Sequence, residues 1–260
     1  MTGCELNYAL DGVIGGPAVL LGGSLGANLA MWQPQLPVLS ARFSVIRYDH
    51  RGHGGSPVAP GPYTIDELGS DVLAMLDRLQ LERVSWCGLS LGGMVGMWLS
   101  INAPARIERL VLICTSAYLP PAQAWTERAA TVREAGSPEA VADAVIARWF
   151  TEPFARERPD IVGRHRAMIA STSAEGYAGC CEAIAIMDLR PGLAGIVAPT
   201  LVIAGEQDPA TPPEHARTIA AGIPGARLEI LDPAAHLCNV ERSADVTALI
   251  VDHLNAGERP

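Results

Sequence analysis

The chain has 260 residues, of which 49% are hydrophobic, 18% charged and 5% aromatic, a composition that excludes a disordered, collagen-like or coiled-coil protein. All 19 Lys-plus-Arg positions hold arginine, which removes phosphate-loop, Schiff-base and Ser–Lys chemistry together, because each needs a lysine. A net charge of −9 repels polyanions and no arginine stripe interleaved with aromatics opposes it, so no nucleic-acid partner is expected.

The opening residues MTGCELNYALDG lack a basic start followed by an apolar run, and no later stretch approaches eighteen apolar residues. The expectation is a cytoplasmic, soluble protein with no membrane partner. In chain order, short apolar runs at Ala18–Leu21, Phe43–Tyr48, Val84–Cys87, Leu110–Cys114, Leu201–Ala204 and Leu228–Leu231 are bounded by Gly, Asp or Pro and predict buried strands. Ile65–Leu79, Leu91–Asn102, His215–Ala221 and Ala244–Leu254 space apolar side chains three and four apart and predict helices. This alternation is the mark of an α/β protein with a parallel sheet covered on both faces. From Tyr118 to Met187 the strand-like runs stop, and helical stretches are punctuated at Pro120-Pro121, Gly136-Ser137-Pro138 and Arg158-Pro159. We therefore expect a core of residues 1–117 and 188–260, interrupted by a helical cap at 118–187 over the carboxyl edge of the sheet, where the sites of open α/β sheets lie. The six cysteines include the vicinal pair Cys180-Cys181 but no CxxC, and read as free thiols of a reducing compartment.

Gly88-Leu89-Ser90-Leu91-Gly92 lies between a strand run and a helical pattern, the context a nucleophile elbow requires. The serine must project from a sharp turn, Gly88 and Gly92 leave room for the chain to cross itself, and the following helix turns its positive end toward the site. The plainer reading is a glycine-rich contact between strand and helix. A serine nucleophile needs an imidazole and a carboxylate. Asp208 follows one strand run and His236 follows the next, each on a loop at the strand's carboxyl end. Glu206 and Asp232 are rival carboxylates, and Asp208 could serve only its turn before Pro209. His50 and His53 lie in a loop that precedes Ser90, while His165, His215 and His253 fall in helical patterns. Gly22-Gly23-Ser24-Leu25-Gly26 closes the first strand run; its Leu25 N–H, with that of Leu91, would form an oxyanion hole. No HExxH, paired-cysteine, EF-hand or G-x-G-x-x-G pattern appears, so no metal and no cofactor is expected.

With these residues in hand, the chain resembles the 3-oxoadipate enol-lactonases of the α/β-hydrolase superfamily over nearly its whole length. The widely shared stretches are Tyr48–Ser56 and Cys87–Gly93, and His236–Glu241 also matches; Arg148-Trp149-Phe150 and the stretch from Glu175 to Arg190 narrow the resemblance. It departs from the family at Gly23, where a polar residue is common, and at Cys238, where serine is. The resemblance implies an α/β-hydrolase fold with an inserted helical cap, and opening of an acidic enol-lactone by Ser90, Asp208 and His236 through an acyl-enzyme. The substrate's free carboxylate would need a cation, and Arg128, Arg133 and Arg148 lie in the cap near Trp125 and Trp149. Arg148 with Trp149 is the expected binding pair.

Overall fold

The computed structural model describes residues 4–256. Seven strands form one sheet: β1 (Tyr8–Gly12), β2 (Ala18–Gly22), β3 (Ser44–Tyr48), β4 (Val84–Leu89), β5 (Ile107–Ile113), β6 (Thr200–Gly205) and β7 (Arg227–Leu231). Their spatial order is β1-β3-β2-β4-β5-β6-β7, and every pairing is parallel except β1 with β3. β1 is the strand the apolar-run reading missed. Its side chains alternate between exposed and half-buried, with Leu10 turned to solvent, so it carries no continuous apolar run. The central strands β4 and β6 are buried throughout, as strands covered on both faces must be.

The core helices are α1 (Leu36–Leu39), α2 (Ile65–Arg78) and α3 (Leu91–Asn102), then α9 (Pro213–Gly222), α10 (Cys238–Glu241) and α11 (Ser243–Asn255) after the insertion. α2 starts on a capping box in which Thr64 and Glu67 satisfy each other's backbone N–H, and it buries Leu68, Val72, Met75 and Leu76. α3 is buried over ten of its twelve residues, because it packs against β2, β4, β5 and α2. Between β5 and β6 lie five α-helices, a short 3-10 helix (Arg190–Gly195) and no strand: α4 (Ala122–Ala135), α5 (Glu139–Trp149), α6 (Glu152–Glu157), α7 (Pro159–Ala170) and α8 (Ala174–Ile186). The fold is thus an α/β-hydrolase sheet, mostly parallel, with an all-helical insertion. Among the described residues no helix is long and apolar enough to cross a membrane.

The strand order fixes where a site can form. The chain steps outward from β2 to β3, then returns to the other side of β2 with β4. At such a reversal the loops leaving two adjacent strands diverge and open a crevice at their carboxyl ends. Ser90 follows β4 and Gly23–Gly26 follow β2, so both lie on that crevice.

Candidate active site

Ser90 sits between β4 and α3 with φ 54°, a left-handed conformation rare for a residue with a side chain. Its backbone is held at both ends: Ser90 N–H donates to Ile113 O at 2.9 Å, and Thr115 Oγ1 donates to Ser90 O at 2.7 Å. A Cβ on Gly88 would lie 2.2 Å from the Gly92 carbonyl oxygen, and one on Gly92 would lie 2.2 Å from that of Gly22. Both glycines are therefore required by backbone crossing, and the contact joins the elbow to β2. Gly92 N–H donates to Gly23 O at 2.9 Å, which draws the loop after β2 against the start of α3. Leu25 in that loop lines the cavity beside Ser90. Leu91 is the first residue of α3, where backbone N–H groups have no intrahelical acceptor.

Asp208 and His236 meet across two loops. His236 Nδ1 donates to Asp208 Oδ2 at 2.8 Å, and both side chains are almost wholly buried. Asp208 Oδ1 accepts the N–H groups of Ala210 and Thr211 at 2.8 and 3.0 Å, and Oδ2 also accepts Thr211 Oγ1 at 2.7 Å. Burial alone would raise the Asp208 carboxyl, but His236 and these bonds outweigh it and hold the group below the usual carboxylate range. The rivals lie elsewhere: Glu206 is exposed, and Asp232 accepts from the exposed Gln207 amide. The carboxylate's role in a local turn and its contact with the imidazole coexist, since one oxygen mainly serves each. Thr211 was not singled out from the sequence, although Asp-Pro-Ala-Thr is a turn pattern that places a hydroxyl three residues on.

One cavity is lined by Ser24, Leu25, Ser90 and His236 on the sheet side, and His236 is the only histidine on it among the described residues. His50 and His53 instead bond the loop after β2, His215 bonds Ser116, His253 bonds Pro199 O, and His165 packs on Trp149 and Phe150. The roof of the cavity comes from α4 and α5, which bring Trp125, Arg128, Arg148 and Trp149. Arg128 lies 4.6 Å over the Trp125 ring. Burial, then the charge of Arg128, lowers the proton affinity of Arg148. Tyr177 of α8, unremarked as a wall in the sequence, completes this side. Arg133 corrects the expectation. It does not line the cavity, because Glu175 and Glu182 of α8 hold its guanidinium at 2.5 to 2.9 Å.

Residues 17–243 match the model of the alpha/beta hydrolase fold family. The chain is 45% identical over 237 residues to 3-oxoadipate enol-lactonase 2 of Acinetobacter baylyi, covering 91% of this chain and 88% of that protein. The crystal structure of the enol-lactonase from Burkholderia xenovorans LB400 superposes with a TM-score of 0.94 at 43% identity and covers 97% of each chain. A thermophilic esterase from Thermogutta terrifontis, solved with malate bound, superposes at 0.91 with 29% identity over 97% of this chain and 94% of that one. With agreement of this extent in both sequence and backbone, the chain belongs to the α/β-hydrolase fold family and, within it, to the 3-oxoadipate enol-lactonases.

Proposed function

We infer that the protein is a serine hydrolase that opens 3-oxoadipate enol-lactone to 3-oxoadipate in the β-ketoadipate route of aromatic-compound breakdown. What carries the assignment is one cavity that joins a strained serine and an Asp-bound histidine to two arginines without acidic partners among the described residues.

The chemistry follows from these groups. With its Nδ1 hydrogen committed to Asp208, His236 offers Nε2 as the base that takes the Ser90 hydroxyl proton. Ser90 Oγ attacks the lactone carbonyl, and the N–H groups of Leu25 and Leu91 hold the oxyanion. Collapse breaks the ring C–O bond, His236 returns its proton to the leaving oxygen, and the enol so released ketonises. Because the leaving oxygen is part of the same molecule, the open chain stays attached to Ser90 as an acyl-enzyme. Water activated by His236 then releases 3-oxoadipate. The substrate's free carboxylate is held by Arg128 and Arg148 against the apolar walls of Trp125 and Trp149. Residues 118–187 act as the lid that keeps bulk water from this charge pairing. The six unpaired cysteines support a reducing, cytoplasmic location.

The test follows the ultraviolet absorbance of the enol-lactone with wild type and Ser90→Ala. The expected result is rapid loss with the first and at least about a 10³-fold lower kcat with the second. A Ser90→Ala protein as fast as wild type would overturn the mechanism, and a wild type active on neutral esters alone would overturn the substrate.

A further inference from the structure

We propose that His53 is a positioning residue for the oxyanion hole: its Nε2 holds the Gly26 N–H and so fixes the turn from which Leu25 presents its own N–H. The proposal rests on the assignment of the Leu25 N–H to that hole.

Two contacts settle the tautomer. His53 Nδ1 lies 3.1 Å from Arg51 O, which can only accept, so Nδ1 carries the hydrogen. Nε2 is then a lone pair, and the Gly26 N–H donates to it at 3.0 Å in a buried setting. Burial, the largest influence on the ring, keeps it neutral and the lone pair available.

The turn explains why that lone pair matters. Ala27 N–H donates to Ser24 O at 3.0 Å and Gly26 has φ +78°, so residues 24–27 form a turn with a left-handed third position. That conformation places the central Leu25–Gly26 peptide in one of two opposite orientations. His53 selects it, because the other orientation would point the Gly26 N–H away from the imidazole. With the central peptide fixed, Ser24 O stays on Ala27, and the Leu25 N–H of the same trans peptide points opposite to that carbonyl.

The support is stiff enough to act. Arg51, next to His50 in the same loop, is clamped by Asp71 at 2.6 and 2.8 Å, and Asp49 accepts from Leu29 N and Gly55 N at 2.7 and 2.8 Å. His50 Nε2 holds Gly23 O at 3.0 Å from the same loop, so the segment after β2 is gripped at both ends. Of the two, only His53 bonds the residue that follows Leu25.

Two near-isosteres separate the roles of the ring nitrogens. His53→Asn keeps a donor for Arg51 O but has no acceptor at the Nε2 position, whereas His53→Gln puts Oε1 there to take the Gly26 N–H. On the enol-lactone and, in parallel, on p-nitrophenyl acetate, we expect Asn to lower kcat by about 10- to 100-fold with KM within about twofold, and Gln to stay within a few-fold of wild type. Affinity for a simple alkylboronic acid, which forms a tetrahedral adduct on Ser90, should fall with kcat in Asn, and 3-oxoadipate inhibition should not change. Equal loss in both variants, or KM rising at unchanged kcat, overturns the proposal. If Asn does not fold, ¹⁵N spectra of wild-type His53 decide: an Nε2–H tautomer overturns the assignment and an Nδ1–H tautomer supports it. A wild type active on the ester and inert to the lactone would remove the substrate assignment alone, and the boronate arm reads the oxyanion hole even without turnover.

Discussion

Eight arginines lie between β5 and β6, and acidic side chains pair six of them: Arg133, Arg156, Arg158, Arg164, Arg166 and Arg190. Arg128 and Arg148 hold no ion pair among the described residues, and these two line the cavity with Ser90. In a protein of net charge −9 this is a selective omission, since the long-range field would otherwise repel an anionic substrate. Arg128→Ala and Arg148→Ala should each lower kcat/KM on the acidic lactone by about 10- to 100-fold, the worth of a hydrogen bond to a charged group, and change hydrolysis of a neutral ester far less. Arg133→Ala should leave the ratio of the two substrates unchanged and lower stability, since it frees Glu175 and Glu182. Competing-substrate kinetics on the three variants checks both statements, and equal losses on lactone and ester would refute a carboxylate anchor. The sequence placed all three arginines in the cap and favoured Arg148 with Trp149, but it gave no ground to set Arg133 aside, because the neutralising glutamates lie 42 and 49 residues further on, on α8. Ser90, Asp208 and His236 were legible as candidates for the opposite reason: glycines two residues either side of the serine, and loops directly after strands, are local signals.

At the scale of elements, α8 decides how the cap sits. Its Gly176 meets Gly52 of the loop after β3 so closely that a Cβ on Gly176 would lie 2.3 Å from Gly52 O. Backbone cannot yield as a flexible side chain does, so Gly176→Ala should push α8 outward and carry the neighbouring Tyr177 away from the cavity it lines. We expect a stability loss of about 1–3 kcal/mol and a raised KM, by chemical denaturation and lactone kinetics. Gly163→Ala in α7 is the contrasting case. Its Cβ would meet nothing within 4 Å, so helix propensity alone should act and raise stability by about 0.5–1 kcal/mol. If both alanines shifted stability alike, the close approach would not be what seats α8. The helical character of the insertion was legible because strand-like runs cease there. Its individual helices were not, since α4 to α8 bury partial faces against one another, and an exposed cap face and a cavity-lining face carry the same mixed polarity. β1 escaped notice through a related limit, as an edge strand alternates where central strands run apolar.

For the molecule as a whole, burial of histidine sets the response to acid. His50, His53, His165 and His253 all have their proton affinity lowered, in each case first by burial, and His50 is pushed down to about 3. An exposed histidine in the unfolded chain titrates near about 6.5. Between those values the unfolded chain binds a proton that the folded protein refuses, so stability is full above about pH 6.5 and is lost as pH falls, by up to about 1.4 kcal/mol per pH unit for each such ring. Asp208, held below the usual carboxylate range, adds a further loss at the acid end as it is forced to protonate. Acidification also reduces the net charge of −9, which relieves repulsion and acts in the opposite sense. That relief is spread over a solvated surface and screened within about 8 Å at physiological salt, whereas buried imidazoles are screened little, so the histidines should win. The urea midpoint is therefore expected to fall from pH 6.5 to 4.5 even as net charge shrinks. His50→Gln, whose amide can still donate to Gly23 O, removes one titrating ring. Relative to wild type it should gain about 2–3 kcal/mol across that interval, in 0.5 M salt as in 0.05 M. Parallel stability curves for the two proteins would show that His50 is protonated in the folded state as readily as in the unfolded chain. A difference that vanished in high salt would trace the acid response to surface charge instead.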